Sequence, residues 1–407
     1  MYKKYQQFAS QKFKWVKKHA RETIIIAVVI CGVVGLSASQ AATFSVSLQP
    51  EDGTRSSAAN IGDDVTASGG KYILFGANVR TQCASGGTYL WSHLEVCGWP
   101  GPTNTGPDLS QCGGLLTANS GSLSRTINVS TNNTVISCQN ISGCIRITGT
   151  GVTVKNSKIT CNTGLVGTAA NGKGSIYIED GASATISNVE IDGNKGVHAC
   201  VWHQGTSMTV TAINCYGADD GIFSWADTSY SQTTGDNFTI KDSYFHDFTN
   251  KTSNGHIDGY QTEGAGNGLI DHNTFYMTSD DSNYTDSAIV IWNSLRSSHD
   301  ITVQNNLIAG GGNAIYAQDY NPSDTTASGG YSVTNITFTN NSFSTIFNPC
   351  IGFGPGWDGA VWFTRSNWSP YQGGPTDGWR RSGNKVLETG ENIDNSNPHF
   401  SNGSLCS

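Results

Sequence analysis

"VTVKNSKIT", residues 152–160, and "ATISNVEID", residues 184–192, share apolar positions around a central asparagine, and the same pattern returns five more times along the chain. The further copies align without gaps and are "MTVTAINCY" (208–216), "FTIKDSYFH" (238–246), "GLIDHNTFY" (268–276), "ITVQNNLIA" (301–309) and "ITFTNNSFS" (336–344). Their starts lie 32, 24, 30, 30, 33 and 35 residues apart. Seven copies at such a period predict a solenoid, in which each repeat buries its apolar face only against its neighbours.

Three positions within the copies predict the shape of each repeat. The third position is always apolar, and it is occupied by Val154, Ile186, Val210, Ile240, Ile270, Val303 and Phe338. The eighth position is apolar too, and it holds Ile159, Ile191, Cys215, Phe245, Phe275, Ile308 and Phe343. The fifth position is asparagine in four copies, namely Asn156, Asn188, Asn305 and Asn340. We therefore expect two short strands joined by a left-handed bend, which asparagine tolerates, and a ladder of stacked asparagine amides about 4.8 Å apart.

A second set of strands lies between these copies. It consists of "SIYIED" (175–180), "ACVWHQ" (199–204), "DGIFSW" (220–225), "DGYQTE" (258–263), "SAIVIW" (287–292) and "NAIYAQ" (313–318). Each repeat thus supplies at least two strands and long turns, which predicts an all-β chain folded as a parallel β-helix.

This pattern resembles the pectin-lyase-like right-handed parallel β-helix superfamily over roughly residues 116–355. The lead-in "GWPGPTNTGP" (98–107) and the H-x-D-G-x-Q element at 256–261 look like those of secreted bacterial β-helix proteins of unassigned function. The resemblance implies a right-handed coil. The superfamily includes lyases, hydrolases, epimerases and adhesins, so the resemblance does not decide the function.

The N-terminal region predicts export. Seven Lys and Arg residues within 1–22 precede the apolar run "TIIIAVVICGVVGLSA" (23–38), the order of a secretory signal. A membrane anchor at 23–38 remains open, and in either case residues 1–22 stay in the cytoplasm. We divide the chain into this basic segment with its signal or anchor (1–41), an N-terminal cap (42–115), the β-helix (116–355) and a Trp-rich C-terminal cap (356–407). Within the cap, residues 48–76 are similar to the opening of a carbohydrate-binding β-sandwich module.

The charge of the exported part limits its partners. Without residues 1–22 it keeps 16 basic and 30 acidic residues, a formal net charge of −14. This argues against nucleic acid, whose binding depends on Lys and Arg. Acidic glycans would need a bridging cation. Calcium suits clustered carboxylates such as Asp219, Asp220, Asp258 and Glu263, but nothing in their spacing is specific for it, and no metal ligand is assigned.

Apart from Cys31 in the apolar run, the exported part has ten cysteines, which predict disulfides. Cys138 and Cys144 are close enough in sequence to pair, and Cys350 with Cys406 could fix the C-terminus. Cys200 and Cys215 could equally be small core residues.

The second set of strands predicts a ligand surface. Aligned at their Gly or Ala position, these strands should point Tyr260 and its equivalents inward and the next column outward. Among the resulting outward residues, the candidates for ligand binding are Trp202, Phe223, Trp225, Gln261, Trp292, Tyr316 and Gln318. Aromatic rings stack on sugar faces and amides bond hydroxyl groups, so this strip predicts polysaccharide binding. The alternative is that a loop or the Trp-rich C-terminus covers it. The same alternation makes His203 a core residue.

Four residues near this strip are candidates for catalysis: Asp220, His256, Asp258 and Glu263. Paired carboxylates about 5–9.5 Å apart are what glycoside hydrolysis needs. Asp219–Asp220 and Gly255–His256 faintly resemble polygalacturonase elements, but the rest of that motif and the Arg-x-Pro-x-x-Arg of pectate lyases are absent. A lyase would want a basic group, for which Lys241, Lys251 and Arg296 are nearby. Aspartates before glycine also commonly cap turns.

The sequence therefore predicts an exported or surface-anchored protein that binds extracellular polysaccharide, with two further questions open. One is whether it also cleaves the polysaccharide as a hydrolase or lyase. The other is whether it is a non-catalytic adhesion or structural protein.

Overall fold

The computed structural model describes residues 59–63, 71–75, 82–83, 87–164, 173–225, 235–249, 256–279, 285–293, 295–317, 331–347 and 378–394. The chain divides into two units, residues 1–77 and 78–407. In the first unit, β1 (Ala59–Asp63) pairs antiparallel with β2 (Lys71–Phe75). Within the described residues, no helix is long and apolar enough to cross a bilayer. The predicted signal or anchor at 23–38 lies outside them.

The second unit is all-β and built from parallel sheets. One sheet has eight strands, in chain order β4 (Thr126–Val129), β7 (Cys144–Ile147), β9 (Gly174–Ile178), β11 (Ala199–His203), β14 (Asp220–Ser224), β17 (Asp258–Thr262), β20 (Ser287–Ile291) and β23 (Asn313–Ala317). Each strand pairs with the next along this series, always in parallel.

The remaining strands pair in two further columns, which are joined where single long strands run through both. The first column consists of β5 (Val135–Ser137), β8 (Val152–Thr160), β10 (Ser183–Asp192), β12 (Ser207–Thr211), β15 (Phe238–Lys241), β18 (Gly266–Asp271), β21 (Ser298–Gln304), β24 (Val333–Thr339) and β26 (Arg380–Ser382). The second contains β3 (Thr117–Asn119), β6 (Gln139–Ser142), the ends of β8 and β10, β13 (Asn214–Tyr216), β16 (Tyr244–Phe248), β19 (Thr274–Ser279), β22 (Leu307–Gly310), β25 (Ser342–Ser344) and β27 (Lys385–Val386). These stacked parallel columns fit a β-helix.

The sequence alignment of the repeats matches the strand register residue by residue. Val154, Ile186 and Val210 lie opposite one another in adjacent parallel strands, and the same column continues to Phe338. The eighth column behaves in the same way, with Phe245 and Phe275 stacked at a centroid distance of 4.9 Å. Both columns are buried in a single core. The stack is therefore held by apolar side chains that lie directly over their equivalents.

The predicted bend is confirmed, but the predicted asparagine ladder lies one residue further on. All seven residues at the fifth position have left-handed backbone, with φ between 44° and 55°. Their side chains are mostly part-exposed, because the bend turns them outward. The buried ladder is formed instead at the sixth position by Asn273, Asn306 and Asn341, and it continues to Asn384.

Each ladder amide makes several hydrogen bonds inside the core. The Asn306 Oδ1 atom accepts from the backbone N–H and the Nδ2 of Asn273 at 2.9 and 3.0 Å. The Asn306 Nδ2 donates to the carbonyl of Ile270 and to Oδ1 of Asn341, both at 3.0 Å. Asn384 in turn donates to Asp394 Oδ1 at 2.7 Å, which ends the series on a carboxylate. The ladder satisfies backbone groups that the bend would otherwise leave unpaired.

Four disulfides are present among the described residues, which fits a protein exported to an oxidising compartment. They join Cys83 to Cys97, Cys112 to Cys138, Cys144 to Cys161, and Cys200 to Cys215. The predicted pairing of Cys138 with Cys144 is wrong, because β5 and β6 carry Cys138 towards the preceding 3-10 helix (Leu109–Cys112) while Cys144 enters the core. Cys350 and Cys406 lie outside the described residues.

The segment that precedes β3 packs against the side of the stack. Its helix α1 (Thr88–Ser92) and the following turn contribute Leu90 and Leu94 to a second apolar cluster with Tyr244 and Leu307. The Gly98 carbonyl is hydrogen-bonded to Nε2 of His272 at 2.8 Å. This segment thus ties several coils together from outside.

The C-terminal described residues continue the stack. Strands β26 and β27 pair in parallel with β24 and β25. Trp379 lies in the main core, where its indole N–H donates to the Val333 carbonyl at 2.9 Å. It therefore does not cover the predicted aromatic strip. The other tryptophans of the Trp-rich C-terminus, Trp357, Trp362 and Trp368, lie outside the described residues.

The ladder predicts unequal consequences for two adjacent asparagines. Asn306→Ala should lower the free energy of unfolding by on the order of 3 kcal/mol, because it leaves buried donors and a carbonyl without partners. Asn305→Gly should cost under about 1 kcal/mol, because glycine adopts the left-handed bend freely. Urea denaturation of both variants measures the difference, and equal losses would contradict the assignment of the ladder to the sixth position.

Candidate functional site

The outer side of the eight-stranded sheet carries the predicted site residues. The predicted alternation is confirmed: Ile222, Tyr260 and Ile289 lie opposite one another in adjacent strands and are fully buried in the core. Tyr260 stacks on Phe238 at 5.2 Å. The next column, through Phe223 and Gln261, therefore lies on the outer side, and the sequence-based placement of these residues is correct.

The outward aromatic residues do not form one open strip. Tyr177, Trp202 and Phe223 pack together with Trp225 as a separate cluster, called here the Trp202 cluster. Trp202 meets Phe223 edge-on at 4.5 Å, and these two side chains are only 8% and 5% exposed. Mutual packing of large rings removes them from solvent, so the expectation of an exposed strip is wrong for this half.

A second group of rings surrounds a pocket further along the stack. Trp292 lies between His256, at 5.7 Å, and Tyr316, at 5.4 Å, and both contacts are edge-on. The pocket has a volume of ≈ 220 Å³. This cavity is called here the Asp258 pocket. It is lined by His256, Asp258, Asp286, Ser287, Val290, Trp292, Asn313 and Tyr316. Gln318, predicted to bind ligand here, lies outside the described residues.

Gln261 and Glu263 lie between the two aromatic groups. The Gln261 side-chain amide donates to Glu263 Oε1 at 3.3 Å, and Gln261 is 6% exposed. Gln261 is a sheet neighbour of Phe223 on one side and Val290 on the other. The two residues therefore connect the Trp202 cluster to the Asp258 pocket along the outer face.

Gly259 is required by the close packing around its strand. A Cβ atom at Gly259 would lie 2.5 Å from Phe275 Cδ1 and 2.6 Å from the Ala288 carbonyl oxygen. Glycine is needed there because the strand begins close to the Phe275 ring of the core.

The two candidate aspartates lie on adjacent coils, as expected. Oδ1 of Asp220 accepts a hydrogen bond from the backbone N–H of Asp258 at 2.9 Å. Asp258 is fully buried, and neither of its carboxyl oxygens accepts a hydrogen bond from any described residue. The backbone N–H of Ser287 opposes the rise in the pKa of Asp258, but its hydrogen bond goes to the Ile257 carbonyl at 3.3 Å. The Asp220 carboxyl thus binds the start of the next coil's strand, whereas the Asp258 carboxyl, which lines the pocket, accepts no hydrogen bond from the described residues.

Burial raises the pKa of both aspartates well above its usual range. For Asp258 the neighbouring carboxyls of Asp220 and Asp286 raise the pKa further. For Asp220 the hydrogen bond from Asp258 lowers the pKa, while the negative charges of Asp219, Asp286 and Glu263 raise it. Ionisation of either carboxyl therefore disfavours ionisation of the other.

Three pocket residues were missed in the sequence: Asp286, Ser287 and Asn313. Ser287 and Asn313 occupy the same sheet column as Asp258. Asp286 accepts a hydrogen bond from the backbone N–H of Ile257 at 2.8 Å. The signal was in the second-strand alignment, whose first residues read Asp, Asp, Ser and Asn in successive coils. Alignment on the following Gly or Ala does not by itself mark this polar column as part of a site.

The two histidines near this face differ in exposure. His203 is confirmed as a core residue, and burial lowers its pKa to about 4 while its Nε2 contacts the Asp236 carbonyl at 3.1 Å. His256, a catalytic candidate, is exposed at the rim of the Asp258 pocket. The histidine available to a ligand is therefore His256.

The basic residues considered for a lyase are placed elsewhere. Arg296 is part-buried and hydrogen-bonds the Asp236 carboxylate. Lys241 belongs to β15, in another column, and pairs with Asp271 at 3.5 Å. Lys251 lies outside the described residues. Among the residues that the structure describes, no group of three or more His, Cys, Asp or Glu side chains could hold a metal ion, so the geometry gives calcium no support.

No protein-family model matches the chain, and no curated protein matches it.

The buried pair predicts an unusual dependence of stability on pH. An aspartate whose pKa is higher in the folded than in the unfolded protein binds protons more tightly when folded. The free energy of unfolding should therefore be greatest near pH 4, about the unfolded pKa, and fall as pH rises towards the raised pKa. Asp258→Asn should remove much of this decline and be more stable than the wild type at pH 7.

Denaturation curves between pH 4 and 8 measure this effect. Asp300→Asn is the matched control, because Asp300 is exposed on β21, away from the pocket. It should keep the wild-type decline. A less stable Asp258→Asn with an unchanged pH profile would show that Asp258 is an ordinary ionised turn residue.

Proposed function

We propose that this protein is exported and binds an extracellular polysaccharide on the outer face of its eight-stranded sheet, with the Asp258 pocket holding one sugar unit. The observation that carries the proposal is the combination of aromatic walls and buried polar groups in one cavity. Its volume of ≈ 220 Å³ is below the roughly 300–1,000 Å³ of pockets for drug-sized ligands, which suits a single ring.

The lining supplies both kinds of contact that a sugar uses. Trp292 and Tyr316 offer ring surface for C–H groups, and each remains partly exposed. Asp286, Ser287 and Asn313 offer hydrogen-bonding groups at the opposite, strand-starting side. A linear glycan could continue past Gln261 and Glu263 towards Trp225, which shares the outer face.

The sequence resemblance supports placing the fold in the pectin-lyase-like superfamily, with a right-handed coil. The supporting finding is the parallel, in-register stacking of all seven repeats. We also propose that the basic and apolar segments at the N-terminus export the chain, as a cleaved signal or as a membrane anchor at 23–38. The four disulfides support export.

A glycan array followed by calorimetric titration tests the proposed binding. Trp292→Ala should weaken the best ligand by about 1 kcal/mol or more, because it removes a wall of the pocket. Trp225→Ala is the comparison variant: it removes a tryptophan further along the proposed glycan path and should cost less. A larger loss in Trp225→Ala would move the main binding site from the pocket to the Trp202 cluster, and no binding to any glycan would contradict the function.

Hydrolysis of the bound glycan is a second candidate, favoured by the raised pKa of Asp258. A protonated Asp258 would give its proton to the glycosidic oxygen, and Asp286 would accept a proton from the attacking water. Asp258→Asn should then abolish the release of reducing ends from the array-identified glycan while binding persists. Undiminished cleavage by this variant would exclude Asp258 as the acid, and no cleavage by the wild type leaves the non-catalytic function.

A further inference from the structure

The Asp258 carboxyl is the least satisfied polar group at the site. It is fully buried, lines the pocket, and has two oxygens that accept no hydrogen bond from the described residues. Asp220 and Asp286 add further negative charge beside it. Within the described part of the chain, none of these three aspartates forms an ion pair. Such a group requires either a proton or a cationic partner.

The described pocket residues include no lysine and no arginine, and their histidine, His256, is exposed at the rim. A ligand bound in the pocket can supply the positive charge. The ligand's cation must also bring N–H or O–H donors, since two carboxyl oxygens are unpaired.

The shape of the pocket selects among cations. Trp292 and Tyr316, set edge to face at 5.4 Å, present ring surface next to the carboxyl. Aromatic faces attract ammonium groups, and a primary ammonium has three N–H donors for carboxylate and hydroxyl oxygens. Ser287 and Asn313 could bond neighbouring hydroxyl groups on the same ligand. A compact polar ring bearing an ammonium group meets all of these demands.

We infer that the Asp258 pocket recognises a free amino sugar, so that the polysaccharide bound is one carrying unacetylated, positively charged amino groups. This inference rests on the proposed glycan-binding function and narrows its substrate class. The net charge of −14 on the exported part favours the approach of such a polycation. The ammonium group would hold Asp258 as a carboxylate, which accepts hydrogen bonds and has no proton to donate. The inference therefore supports the binding function and not hydrolysis with Asp258 as the acid.

The test compares two probes that differ only in the amino group: the β-1,4-linked glucosamine hexamer and its fully N-acetylated counterpart. Calorimetric titration at pH 6 should show the free amine binding at least tenfold more tightly to the wild type. Asp258→Asn should reduce this preference at least tenfold, whereas Asp300→Asn, which removes an exposed charge elsewhere, should keep it. Thermal denaturation confirms that each variant is folded.

Four results would overturn the inference. Equal binding of the two hexamers would leave glycan binding intact but remove the amino-sugar preference, and binding of neither would exclude this class while the array still tests the proposed function. An equal, small loss in Asp258→Asn and Asp300→Asn would show attraction by net charge alone. Competition by Nα-acetyl-lysine amide at the same concentration as the free-amine hexamer would show that the pocket reads any ammonium group, not a sugar. Should Asp258→Asn fail to fold, the comparison of the two hexamers on the wild type decides.

Discussion

The structure depends on one constraint: each inward side chain lies directly over its equivalent in the next coil. Val154, Ile186 and Val210 pair in register, and Phe245 stacks on Phe275. This repetition makes the apolar core continuous, and it allows the buried asparagines from Asn273 to Asn384 to share hydrogen bonds along the stack. It also explains the glycine at 259, which gives the Phe275 ring its space. A side chain that broke the column would affect the coils on both sides.

The same register builds the site on the outer face. Asp220, Asp258, Ser287 and Asn313 begin successive strands, so a polar column runs across the sheet beside the pocket. The core beneath this column is apolar, and the Asp258 carboxyl is therefore poorly solvated although it lines the cavity. Solenoids commonly carry function in this way, because the repeated core fixes positions and the outer residues vary from coil to coil.

Much of the fold was predictable from the sequence, since the apolar period specifies which residues share a column. All seven repeat copies pair as their alignment predicts, and the inward position of Tyr260 and His203 follows from strand alternation. The asparagine ladder was misplaced by one residue. Both Asn305 and Asn306 fit a polar bend by composition, and only the backbone geometry turns the first outward and the second inward.

The site was less predictable because it depends on packing between neighbours. Alternation placed Trp202 and Phe223 outside, but it could not show that they would bury each other. The disulfides likewise follow the coil geometry, which brings Cys144 to Cys161 rather than to Cys138. Asp286 joins the pocket through a hydrogen bond to a backbone group of the preceding coil, a contact with no sequence signal of its own.

The most direct test of the account is a crystal structure of the protein with a bound oligosaccharide. The account predicts one sugar ring in the Asp258 pocket, packed against Trp292 and Tyr316, with a polar group of the ligand within hydrogen-bonding distance of the Asp258 carboxyl. A ligand bound to another face of the stack, with the Asp258 pocket left to solvent, would contradict it.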